Sequence, residues 1–252
     1  MKDEAIQQLN QLNKKFYNRV ASHFDTSRQF YWHGWNRLLP HLTDLAERVQ
    51  PIRVLDIGCG NARFASFLAD ALSESQIEYH GIDFNAQLLQ AAEHRLAHFP
   101  HKTTLSQVDI VVSLLNKQPL VSELSFDLIV IFGVLHHIPS YQLRKTLLQV
   151  SADLLVPNGL LCCTLWRFLD QEKTEHNTLS PEEIHVNKEE LEPHDYFVSW
   201  ERGVTATRYC HFTPDYEEER LIAASELKLM DNFESDGKEG KGNKYLVFKK
   251  LI

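Results

Sequence analysis

No run of apolar residues in this chain approaches the length needed to cross a bilayer. Residues 1–11 are polar and mixed in charge, which does not read as a signal peptide. The four cysteines, Cys59, Cys162, Cys163 and Cys210, include no Cys-x-x-Cys spacing. A disulfide framework and an intrinsic zinc site are therefore not expected. A surplus of basic residues is also missing: 26 Lys and Arg stand against 34 Asp and Glu, a net charge of -8. That argues against nucleic-acid binding by bulk charge, although a local basic patch is compatible with it. No internal repeat is visible. These absences predict a soluble, reduced, cytoplasmic protein without metal. At 252 residues, 43% hydrophobic and 24% charged, the chain can bury one large core, or one domain with an insertion.

What is present is organised around residues 53–64, Arg-Val-Leu-Asp-Ile-Gly-Cys-Gly-Asn-Ala-Arg-Phe. An apolar run with β character turns on Gly58 and Gly60. A helix then follows, with Phe64, Phe67, Leu68 and Leu72 near the 3.6-residue period. Strand, glycine turn and helix form the opening unit of a nucleotide-binding α/β fold. A glycine there lets backbone approach a ligand where a Cβ would clash. A dinucleotide fingerprint would want a small residue at position 63, which is Arg63. Asp56 stands two residues before Gly58, and Asp83 ends a second strand, where a carboxylate can accept both ribose hydroxyls. An NAD-binding unit, or an α/β turn that binds nothing, is the competing reading.

Downstream, strands are expected near 53–57, 78–83, 103–108, 126–132 and 159–166, and helices near 62–72, 86–97 and 140–155. Their alternation predicts a mostly parallel sheet covered on both faces. Pro157-Asn158-Gly159 reads as a turn into the fifth strand. Upstream, Leu12, Phe16, Val20 and Phe24 form a helical stripe, and a second apolar helix over 32–49 is interrupted by Pro40. Residues 167–195 read as an inserted, partly mobile loop, followed by β-like runs at 196–200 and 205–212 around Glu201-Arg202-Gly203. A helix over 215–227 and a hairpin of 228–234 with 245–248 close the chain. The expected division is an N-terminal helical cap (1–50), a cofactor-binding core (51–166), a substrate-side insertion (167–213) and a C-terminal helix and hairpin completing the core sheet (214–252).

Candidate site residues follow from these positions. Asp109, after the third strand, is placed to accept an adenine amino group while Ile110 packs on the ring; its alternative is a simple turn cap. Phe132 through Pro139 leave the fourth strand and carry His136 and His137, either of which can face cofactor or substrate. Trp200, Arg202, Arg208, Tyr209 and His211 cluster in the late insertion. Arginine there suits a carboxylate or phosphate; an exposed strand with solvated side chains is the bland alternative.

Several separated pieces together resemble the class I S-adenosylmethionine methyltransferases, and within them the tRNA wobble-uridine enzymes that esterify 5-carboxymethyluridine. These pieces are Val20-Ala21-Ser22-His23-Phe24 with Arg28 and Trp32, the Asp56–Gly60 loop, Val134–Ile138, Leu165-Trp166, Val198-Ser199-Trp200 and Arg208-Tyr209-Cys210-His211. Ala62 stands where the family usually has a third loop glycine. The resemblance implies a Rossmann-like seven-stranded fold with an antiparallel C-terminal hairpin. It implies S-adenosylmethionine as cofactor, held by Tyr17, Arg28, Asp56, Gly58, Cys59, Gly60, Asp83, Phe84, Asp109, Ile110 and Phe132. It implies Arg28, His136, Arg208, Tyr209 and His211 as catalytic candidates. The implied partners are tRNA and, as in eukaryotic members, a small zinc-binding activator protein. A small-molecule O- or N-methyltransferase and a non-catalytic cofactor-binding subunit are the other functions compatible with this fold.

Overall fold

The computed structural model describes residues 1–27, 30–122, 125–170 and 178–251. Two helices, α1 (Asp3–Ser27) and α2 (His33–Arg48), precede the alternating region. That region runs β1 (Ile52–Ile57), α3 (Arg63–Ala71), β2 (Ile77–Asp83), α4 (Ala86–Arg95), β3 (Lys102–Gln107), α5 (Ile110–Leu115), β4 (Phe126–Ile131), α6 (Tyr141–Leu154) and β5 (Leu155–Trp166). Then come β6 (Thr178–Leu179), β7 (Asp195–Arg202), β8 (Val204–His211), α7 (Asp215–Ala224), β9 (Lys228–Ser235) and β10 (Asn243–Lys249). The sheet order is β3-β2-β1-β4-β5-β10-β9. β1 to β5 are parallel, and β10 runs antiparallel to both neighbours. This is the predicted seven-stranded α/β fold with its antiparallel C-terminal hairpin.

Alternation along the central strands divides the core into two layers. Ile129, Ile131, Leu161 and Cys163 face the side covered by α5, α6 and α7. Leu128, Val130, Leu160 and Cys162 face α2 and α3. The paired cysteines thus point to opposite faces, as their spacing predicts.

Three local readings change. The helix over 32–49 is not broken at Pro40; α2 continues through it. An interior proline costs about 3 kcal/mol, but Trp35, Leu38, Leu42 and Leu45 are all buried on the sheet. At roughly 1.5–3 kcal/mol each, their burial outweighs the break. The Pro-Asn-Gly turn is a bulge inside β5, where the register against β4 jumps from Leu155 to Leu160. Asn158 takes the left-handed conformation there (φ 65°), which asparagine tolerates. The inserted stretch also carries more structure than a loop: 3₁₀ turns at Phe168–Asp170, Glu182–Ile184 and Lys188–Glu190, and a small sheet ordered β6-β7-β8. Residues 171–177 within it lie outside the described residues.

α1 crosses from this small sheet to the main fold, packing on β8, α4 and α5. Strand order reverses between β1 and β4, so the crevice at their carboxyl ends is the expected ligand position. α1 and β8 stand over that crevice.

Candidate active site

The floor of the crevice is the β1 exit. Gly58 takes φ +76°, and a Cβ added there would come 2.2 Å from the Val134 side chain. Glycine is therefore required by conformation and by contact. The next position with left-handed backbone is Gly60 (φ +54°), followed by Ala62 (φ 54°), the N-cap residue just before α3. The Gly60 N–H donates to Asp83 Oδ2 at 3.0 Å, and the Asn85 N–H donates to Asp83 Oδ1 at 2.8 Å. Asp56 is buried and accepts the Tyr79 hydroxyl at 2.6 Å. Burial raises both carboxylates. Asp83 reaches about 6, with the backbone donors opposing the rise. Asp56 reaches about 7, with the Tyr79 hydrogen bond opposing and the Asp83 charge reinforcing it.

Asp109 caps α5, accepting the Val112 N–H at 3.1 Å. It also accepts Asn10 Nδ2 at 3.1 Å and Lys14 Nζ at 3.0 Å from α1. The capping reading of Asp109 is thus realised, and its carboxylate lines the crevice as well. The same face of α1 supplies Asn13 and Tyr17. Asn13 Oδ1 accepts the Tyr209 N–H at 2.8 Å, and its amide reaches the His137 carbonyl at 3.3 Å. His137 Nδ1 lies 3.0 Å from the Tyr209 carbonyl and its Nε2 lies 2.8 Å from the Tyr17 hydroxyl. A carbonyl only accepts, so Nδ1 carries the proton and the Tyr17 hydroxyl donates to Nε2. Burial, with the Arg208 charge second, lowers His137 to about 3 and keeps it neutral.

The resulting cleft has a volume of about 1010 Å³. Its lining includes Tyr17, Asp56, Gly58, Cys59, Gly60, Asp83, Phe84, Asp109, Ile110, Phe132, His136 and Arg208. Arg208 is 8% exposed, and its guanidinium lies 4.6 Å from the centre of the Trp166 ring and 5.2 Å from that of Phe16. Its Nε is buried without a hydrogen-bond partner, and no ion pair involves Arg208 among the described residues. His136, 6% exposed, lies against Trp166 at 5.0 Å between ring centres.

Two expected catalytic residues stand elsewhere. Tyr209 is fully buried behind the wall among Leu9 and Phe197, and its hydroxyl donates to Asp195 at 2.7 Å. His211, 1% exposed, has Nδ1 at 2.8 Å from Asp195 and Nε2 at 3.0 Å from Glu217. The cause is the two-residue period of β8: with Arg208 facing the cleft, residues 209 and 211 face away. Neither is placed to touch a ligand in the cleft. Arg28 lies outside the described residues. Asn10, Asn13 and Lys14 join the site with no motif to mark them. The available signal was a polar stripe at 10, 13, 14, 17 and 18 beside the apolar stripe of α1.

The residues present suit S-adenosylmethionine: a left-handed glycine turn open to a ligand, carboxylates at the ends of β1 and β2, and the apolar Phe84 and Ile110 at the rim. Residues 55–161 match a family model described as a methyltransferase domain. A tRNA U34 carboxymethyltransferase of Ruthia magnifica subsp. Calyptogena magnifica is 32% identical over 137 residues, which are 52% of this chain and 37% of that protein. A human probable tRNA methyltransferase 9B is 25% identical over 205 residues, 81% of this chain and 36% of that protein. This chain therefore spans little more than a third of the length of either relative. An S-adenosylmethionine-dependent methyltransferase of Clostridium acetobutylicum superimposes with a TM-score of 0.66 at 14% identity, covering 94% of this chain and 99% of its own. The N-methyltransferase NodS of Bradyrhizobium japonicum, solved with S-adenosyl-L-homocysteine, gives 0.57 at 18% identity over 99% and 100%. Glycine turn, acidic strand ends, strand order and matching domain agree: the fold is that of the class I S-adenosylmethionine-dependent methyltransferases, and residues 55–161 match a methyltransferase domain whose cleft suits S-adenosylmethionine.

Proposed function

We propose that this chain methylates the carboxylate of a carboxymethylated wobble uridine in tRNA. The observation that supports it is Arg208, a buried cation without a carboxylate partner among the described residues, set into the cleft wall between two aromatic rings. Keeping a charge out of water is expensive unless it is paired, so the position calls for an anion in the cleft. Both relatives named above carry tRNA in their names, and the human one is called a methyltransferase.

When bound, the cofactor supplies an electrophilic methyl group. A carboxylate acceptor is already ionised at neutral pH, so no general base is needed. That agrees with a cleft whose His137 is held neutral by burial and committed at both ring nitrogens. The remaining task is orientation. Arg208 holds one acceptor oxygen and leaves the other free to react. Trp166 beside it, and Trp200 elsewhere in the cleft lining, give flat surfaces for a base.

The name of the Ruthia relative favours a second reading, transfer of a carboxymethyl group to the uridine itself. Arg208 would then hold the carboxylate of the transferred group. One experiment separates the two. The protein, with and without a small zinc-binding activator, is incubated with S-adenosylmethionine and tRNA bearing carboxymethyluridine, and the nucleosides are analysed by mass spectrometry. A gain of one methyl that mild alkali removes is the expected product. An alkali-stable methyl, or activity only on small metabolites, refutes the ester assignment. A carboxymethyl gain on unmodified uridine, with a carboxylated donor, supports the second reading instead.

A further inference from the structure

From the turn of the C-terminal hairpin onward the chain carries five lysines, Lys238, Lys241, Lys244, Lys249 and Lys250, and the fold gives them different work. Lys244 pairs with Glu218 at 2.6 Å. Lys250 caps the end of α6, with Nζ at 2.8 Å from the Ala152 carbonyl and 2.9 Å from that of Leu155. Lys249 is half-buried beside β9. Only Lys238 and Lys241 are both exposed and on the cleft wall.

Their loop is fixed against the entrance to α2. Asp236 Oδ1 accepts the Gly34 N–H at 3.0 Å, and Oδ2 accepts Asn243 Nδ2 at 2.9 Å and the Tyr245 hydroxyl at 2.6 Å. Gly34 could carry no side chain there, since a Cβ would fall 2.3 Å from the Tyr245 ring. Immediately before α2 stands Phe30, 86% exposed, the most exposed large apolar side chain among the described residues. It is not a loose end. Its carbonyl accepts the Arg63 guanidinium at the start of α3, and Tyr31 next to it donates to Asp70 at 2.7 Å. The backbone held at Phe30 and Tyr31 presents an aromatic ring to water one residue from Tyr31, which lines the cleft, as do Lys238 and Lys241, neither of them in an ion pair among the described residues.

We infer that the rim formed by Phe30, Lys238 and Lys241 is the surface that takes the single-stranded loop of an RNA, with a base stacked on Phe30 and phosphates on the two lysines. Phosphate contacts fix position and do not require a basic protein overall, so a net charge of -8 is compatible with two placed cations. Stacking on an exposed ring needs an unpaired base, which selects a loop over a duplex. The inference rests on the proposed tRNA substrate and adds where that substrate is gripped.

The test is fluorescence anisotropy of the full chain with a labelled anticodon stem-loop and with a blunt RNA duplex of equal length, over a range of salt. Wild type is expected to prefer the stem-loop. Lys238→Gln with Lys241→Gln should reduce the salt slope by about 1.4, at roughly 0.7 per single-strand phosphate contact. Phe30→Ala should weaken binding about tenfold with the slope unchanged. Calorimetric affinity for S-adenosyl-L-homocysteine, unchanged in every variant, confirms that the fold is intact. An unaltered slope in the double lysine variant, equal affinity for loop and duplex, or no stem-loop binding by wild type at low salt overturns the rim. Stem-loop binding that follows the expected pattern while no tRNA ester forms would keep the rim and refute the proposed reaction.

Discussion

In the proposed reaction, the chemistry depends most on Arg208 and the two floor carboxylates. Arg208 is buried and faces the cleft. Arg208→Ala should lower kcat/KM for the acceptor by about tenfold to hundredfold, the worth of a hydrogen bond to a charged group. S-adenosyl-L-homocysteine affinity should be unchanged, and Arg208→Lys should recover part of the loss. Steady-state kinetics beside calorimetry checks this, and equal loss of cofactor affinity would place Arg208 on the wrong ligand. Asp56 and Asp83 are raised by burial to about 7 and about 6. A raised carboxylate binds more protons folded than unfolded. Its stabilisation is therefore complete below the unfolded value and lost as pH rises through about 6 and about 7. A ligand offering hydroxyl and ammonium donors favours the ionised forms, so binding should release protons below neutrality. Calorimetry at about pH 6 in buffers of different ionisation enthalpy should show that release. Affinity should rise toward about pH 8, where release disappears.

Between elements, the strongest ties run through one buried network. Arg144 of α6 is fully buried, with Nε at 2.9 Å from Glu217 of α7 and Nη2 at 3.0 Å from Glu192. It also donates to the Ile138 carbonyl at 3.0 Å, just beyond the two histidines. Glu217 in turn meets His211, and Asp195 meets both His211 and Tyr209. This assembly backs the wall that carries Arg208. Burial alone would raise Glu217, but the bond to His211 and the charge of Arg144 outweigh it and hold that carboxylate low. Arg144→Leu would leave buried carboxylates without their cation and should cost about 3–5 kcal/mol. The check is the urea midpoint, and Arg144→Leu with Glu217→Leu should regain part of the loss. The α1–β8 contact should be weaker: Asn13→Ala strands the Tyr209 N–H, at about 1–3 kcal/mol.

For the molecule as a whole, the two layers of core meet one central sheet, and the cleft lies where that sheet reverses order. Occupying the cleft should therefore stabilise the entire fold by linkage. S-adenosyl-L-homocysteine at about a hundred times its Kd contributes about 2.7 kcal/mol. For a chain of this size that corresponds to a Tm increase of roughly 5–11 °C, measurable by differential scanning calorimetry. NAD at the same concentration should give no shift, and an equal shift would contradict the cofactor class.

Apart from the short α5, which no periodicity announced, the order of strands and helices, the glycine turn and the acidic strand ends were readable from residues 51–166, because each rests on local periodicity or on a backbone conformation that few residues accept. The antiparallel hairpin and the opposed faces of Cys162 and Cys163 followed in the same way. Which face of β8 meets the cleft was not readable, since a period of two separates Arg208 from Tyr209 and His211 without saying which side is inside. The polar stripe of α1 likewise looks like a solvent face until Asp109, His137 and β8 are brought against it. The five lysines between 238 and 250 are alike in one dimension, and only packing leaves two of them exposed on the cleft wall. Local geometry is written in neighbouring residues, whereas the partner of a side chain is chosen by whatever distant element the folded chain delivers to it.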